Sequence, residues 1–272
     1  MNKEYTTLIL ESKDLAINSI KKFLTKLDIN PEAFEHIYNI DIKVSSLIDY
    51  DNLDDETIAL YDPTSFTIFL DKDYLDDVIM EIIKNKEDKE MYVIDTAKYL
   101  VHEMIHAIRT IMIDNNYHKL DMEETQEKGI PSVVHEYDLK YNSNEVSKST
   151  EETIEYQEGF EEALTSVISV IIIMTRKSDK LDLEPAVNRI REKEAYDSGE
   201  KATALLVQTL GPKMLKWFMT STYEDSYYNY FLKEYGPKYD ELVKYIGSLY
   251  NKNNSKIQNK AENIINENKK IA

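Results

Sequence analysis

The chain has no cysteine, so disulfides and thiolate metal sites are both closed to it, and any bound metal must be held by histidine and carboxylate. The same absence fits a reducing compartment. No apolar run reaches the roughly 20 residues that span a bilayer, and Val167–Met174 reads instead as part of a buried helix. The opening residues, Met1-Asn2-Lys3-Glu4-Tyr5, lack the basic segment and apolar region of a secretion signal, and a cytoplasmic protein is expected. Positive charge is scarce: 33 Lys and Arg stand against 51 Asp and Glu, a net charge of −18. Such a surface repels phosphates, which argues against nucleic acid or an anionic membrane as partner. It mildly favours basic peptides or proteins, although solubility accounts for most of the charge. No internal repeat is apparent, and 272 residues are ample for a core, either as one large domain or as a two-lobed unit.

Histidine is also rare, which makes the placement of two of the five informative. His102-Glu103-Met104-Ile105-His106 puts two imidazoles four residues apart. Ile94, Ala97, Leu100, Val101, Met104, Ile105, Ile108, Ile111 and Met112 recur at three- and four-residue spacing. That period predicts a helix over about Tyr92–Asp114, without glycine or proline and stopped near Asn115-Asn116. On a helix the two histidines share one face a turn apart, so both ring nitrogens can reach a single ion. Zinc accepts such nitrogens and, in catalytic sites, keeps one coordination position open for water. Glu103 then stands beside that water as a candidate general base. The plain alternative is a pair of core histidines hydrogen-bonded to backbone.

A third ligand has to come from elsewhere. A second helix is predicted over Glu151–Thr175, and in it Glu158 and Glu162 again lie four apart on one face, flanking Phe160 and leading into the apolar Ala163–Met174 run. One carboxylate from this helix would complete a His₂Glu set. Another, a turn further on, could accept the remaining ring N–H of a ligating histidine. Glu151, Glu152, Glu155 and Glu161 share the same helix start, where acidic residues are favoured by the dipole alone.

These residues resemble the gluzincin class of zinc metallopeptidases, in which His-Glu-x-x-His is followed downstream by a helix reading Glu-Gly-Phe, as in thermolysin-like enzymes and the aminopeptidases. The resemblance covers about Tyr92 to Thr175. It implies that His102 and His106 are zinc ligands, Glu103 the catalytic glutamate, Glu158 the glutamate ligand, and Glu162 the acidic residue that orients a histidine. Gln157 stands where the class has asparagine, and the interval 107–157 is longer than in those enzymes, which leaves Glu155 and Glu161 as rivals to Glu158.

The rest of the chain supplies a frame. Leu15–Leu27 reads as an amphipathic helix ending near Asn30-Pro31. Ile40–Ser46, Thr57–Tyr61 and Ser65–Leu70 read as strands, the last two joined as a hairpin at Asp62-Pro63-Thr64. An edge strand of this kind could pair with an extended peptide. Asp73–Lys84 reads as a helix. Asn115–Thr150 is polar and reads as a lid or cleft wall, with His135, Tyr137 and Tyr141 as conceivable donors. Helices are then expected at Pro185–Glu194, Tyr196–Leu210, Pro212–Met219, Tyr227–Lys233 and Tyr239–Tyr250. Residues 251–272 should fray or dock weakly. A phenol could stabilise a developing oxyanion, and Tyr196 is the candidate.

The expected fold is mostly helical α+β, of zincin-like type. Residues 1–114 form an N-terminal lobe with short strands and the histidine helix, residues 115–250 an insertion and a helical lobe, and 251–272 a tail. The expected function is zinc-dependent peptide hydrolysis. A catalytically silent zincin-like binding or sensing module, or a metal-free helical interaction protein, are the alternatives.

Overall fold

The computed structural model describes residues 3–47, 57–116, 151–220, 233–250 and 252–268. The expected insertion from residue 117 to 150, with His135, Tyr137 and Tyr141, and the expected Tyr227–Lys233 helix up to residue 232 lie outside them. The described residues are mostly helical with one small sheet, as expected. It divides into two compact units, residues 1–108 with 169–181, and residues 109–168 with 182–272.

The first unit begins with α1 (Lys3–Lys26), longer than the Leu15–Leu27 segment that periodicity suggested. Its buried stripe of Leu8, Ile9, Ala16, Ile20, Phe23 and Leu24 keeps helical spacing through the polar stretch 11–14, where Ser12 is itself buried. A short helix, α2 (Glu35–Tyr38), follows. Strands β1 (Asp41–Ser45), β2 (Ala59–Asp62) and β3 (Thr67–Asp71) form a sheet of order β1-β3-β2. Strand β1 runs parallel to β3 and β2 antiparallel to it, with Tyr61 opposite Ile68. The expected hairpin is present. Asp62 braces its turn by accepting from the Thr64 N–H at 2.9 Å and the Ser65 hydroxyl at 2.5 Å. Phe66 closes the turn at φ +51°, a left-handed conformation uncommon outside glycine, with its ring edge-on to Tyr61.

One carboxylate sets the next junction. Asp71 accepts the Tyr74 N–H at 2.9 Å, which caps α3 (Lys72–Lys84), and the Leu47 N–H at 3.0 Å, which fixes the segment leaving β1. Helix α4 (Lys89–Asn116) carries the histidine pair and buries Ala97, Leu100, Val101, Met104, Ile105 and Ile108. Helix α5 (Glu151–Thr175) has the bounds read from sequence. Its last two turns, from Ser169, belong to this unit, where the Lys26 ammonium donates to the Thr175 carbonyl at 2.6 Å, satisfying a helix-end acceptor.

In the second unit, α6 (Glu184–Glu192), α7 (Ser198–Leu210), α8 (Pro212–Thr220), α9 (Tyr239–Gly247) and α10 (Ser255–Asn268) join the first part of α5. Helix α7 starts at Ser198 and not at Tyr196. Asp197 and Glu200 form a reciprocal capping box, and this leaves Tyr196 half-buried in the preceding bend. Gly211, at φ +66°, ends α7 directly before Pro212 opens α8. The tail residues form α10, whose Ala261 and Ile265 are fully buried. Ser198 anchors its approach by donating its N–H to the Lys252 carbonyl and accepting the Asn254 N–H.

Helices α5 and α9 approach with almost no separation at Gly159. A Cβ there would stand 2.4 Å from the Gly247 carbonyl oxygen, so the glycine of the Glu-Gly-Phe segment is required by packing.

Candidate metal centre

The local sequence of α4 explains where its polar groups end up. From Leu100 to Arg109 the helix is largely buried, so His102, Glu103, His106 and Arg109 are polar interruptions of that stretch and need partners. His102 and His106 are half-buried, and their Nε2 atoms lie 3.0 Å apart with ring centroids separated by 4.8 Å. Two nitrogens on one tetrahedral ion, each at about 2.0–2.1 Å from it, would be about 3.3 Å apart. The pair is therefore already spaced as two ligands of one cation.

Glu162 of α5 is the third candidate ligand. One ligand atom from each of His102, His106 and Glu162 lies within 4.8 Å of the others, the one such set among the described residues. Two imidazoles with one carboxylate suit a borderline divalent cation such as zinc and leave a coordination position for water.

Glu103, next to His102 in sequence, points about 100° away around the helix. Only 8 % of it is exposed, and its Oε2 accepts the Tyr61 backbone N–H of β2 at 2.8 Å. Strand β2 pairs with β3 on one side only, so this N–H belongs to the sheet edge. Oε1 is left to engage other groups.

The remaining sequence candidates fall in different places. Glu161 is buried and forms an ion pair with Arg109 at 3.2 Å. Glu155 and Glu158 lie in the first two turns of α5, and their side chains are outside the described residues. Arg109 was not singled out in the sequence reading. A lone arginine inside the apolar run Ala107-Ile108-Arg109 was the available signal, because a buried guanidinium demands an anion. No helix among the described residues is long and apolar enough to cross a membrane.

Comparison with known proteins finds no matching family model, and neither a curated protein nor a solved structure of significant similarity. The likeness to gluzincins rests on the motif residues themselves.

Proposed function

We propose that this protein is a zinc-dependent peptidase of gluzincin type, with His102, His106 and Glu162 as the metal ligands and Glu103 as general base. The observation that carries this reading is the convergence of two imidazole nitrogens and one carboxylate oxygen on a single locus, with a buried glutamate adjacent to the first histidine. When bound, zinc lowers the pKa of a coordinated water toward neutrality and polarises a carbonyl.

The chain supplies the rest. His102 and His106 donate ring lone pairs through Nε2, and a helix that is buried on most sides keeps both rings at fixed height. Glu103 is oriented by the Tyr61 N–H on Oε2, which leaves Oε1 to take a proton from the attacking water and pass it to the leaving amine. Acid–base assistance of this kind contributes typically about 10²–10⁴-fold. The substrate is a peptide, and the chain's −18 charge favours a basic one. Glu158, the carboxylate ligand that the motif resemblance implies, has its side chain outside the described residues, and Tyr196 remains our candidate oxyanion donor. The lack of cysteine supports action in the cytoplasm.

The direct test is digestion of a peptide library by the purified protein, read by mass spectrometry. Cleavage that stops on chelation and returns with zinc is the expected result. No cleavage from a zinc-loaded protein would favour a binding or sensing module instead.

A further inference from the structure

Arg109 lies three residues beyond His106, so it shares the face of α4 that carries both histidines and sits about 4.5 Å further along the axis. Its guanidinium is buried, with 7 % of the residue exposed, and Glu161 is buried with 5 % exposed. One terminal nitrogen pairs with Glu161 Oε1 at 3.2 Å, the other donates to the Phe218 carbonyl at 3.1 Å, and the guanidinium carbon lies 4.6 Å over the Phe218 ring. The bracket thus fastens α4, α5 and α8 together.

Stability alone is a weak reason for such a pair. Buried ion pairs are often replaced by apolar side chains of similar volume at no loss, because desolvation offsets the attraction. What a buried ion pair can add to a hydrophobic contact is conformational specificity. Glu161 and Glu162 are neighbours on α5 and project about 100° apart. Glu161 is held on Arg109, and its neighbour Glu162 has a carboxylate oxygen within 4.8 Å of a ring nitrogen of each of His102 and His106.

We infer that Arg109 and Glu161 are positioning residues whose ion pair sets the rotation of α5 and thereby delivers Glu162 to the metal. This rests on the zinc-site reading above. The pair touches neither metal nor substrate.

The experiment measures zinc affinity by competition with a chromophoric chelator, alongside the visible spectrum of the cobalt-substituted protein and the Tm of the metal-free form. The double variant Arg109→Met/Glu161→Leu should keep or raise the metal-free Tm. Its zinc affinity should fall about 10–100-fold and its cobalt bands should weaken. Glu161→Asp keeps the charge but shortens the reach. It should show a smaller loss of affinity in the same direction, and it decides the matter if the double variant does not fold. Zinc affinity within twofold of wild type in whichever of these variants folds overturns the positioning role. If wild type and His106→Ala bind zinc equally, both the site and its positioning pair are wrong.

Discussion

The Glu103 carboxylate accepts the backbone N–H of Tyr61 at 2.8 Å, fastening the centre of α4 to the edge strand β2. One oxygen therefore has a structural duty and the other is available for chemistry. Two substitutions separate these duties. Glu103→Gln retains a carbonyl oxygen for the Tyr61 N–H but cannot carry a proton. It should keep the metal and the wild-type Tm while peptide cleavage falls by about 10²–10⁴-fold. Glu103→Ala leaves the buried N–H without its acceptor and should in addition lose about 1–3 kcal/mol of stability by urea denaturation. An active Glu103→Gln variant would contradict the assigned base.

The two α5 carboxylates on one face predict a graded response. Glu162→Gln removes the anionic ligand that lies near both histidines and should abolish stoichiometric zinc binding. If Glu162 is the ligand, Glu158→Gln should retain zinc, with affinity reduced by at most about 10–100-fold. Metal content after exhaustive dialysis distinguishes them, and a reversed order would exchange the two roles.

Gly159 gives a prediction independent of the metal. Alanine ordinarily gains about 1 kcal/mol over glycine within a helix. Here its Cβ would meet the Gly247 carbonyl oxygen at 2.4 Å, a backbone atom that cannot rotate aside. Overpacking of this kind typically costs about 1–3 kcal/mol. Gly159→Ala should therefore lower the chemical-denaturation midpoint of the metal-free protein. A stabilised variant would show that the α5–α9 approach is looser than described.

Tyr74 links the first unit's stability to alkaline pH. Burial raises its phenol well above the ordinary value of 10.0, opposed in part by its hydrogen bond with Thr96. The folded state thus holds a proton that the unfolded chain releases above pH 10. The contribution is complete below that pH and is lost progressively as pH rises above it. Tyr74→Phe should show a shallower fall in denaturation midpoint than wild type between about pH 10 and 11.5.

Much of this organisation was legible in the chain. Helix α5 has the bounds its periodicity indicated, and Asp62-Pro63-Thr64 marked the hairpin turn, because both depend on neighbours in sequence. The histidine pair needed only helical spacing. What escaped notice depends on distant partners. Gly159 looked like part of a motif, yet its need is set by Gly247. Glu161 looked like a rival ligand until Arg109 accounted for it. Tyr196 was read into a helix that the Asp197 capping box starts two residues later. The amphipathic pattern marks the first helix only from Leu15, whereas α1 starts at Lys3 and Ser12 is buried within it.

The most direct measurement is the metal content of the protein purified without chelator or metal-affinity resin, with zinc supplied and excess removed. One zinc per chain in the wild type, and none in His102→Ala or His106→Ala, is the expected result. Wild-type protein that holds no zinc, or histidine variants that retain a full equivalent, would contradict the proposed centre.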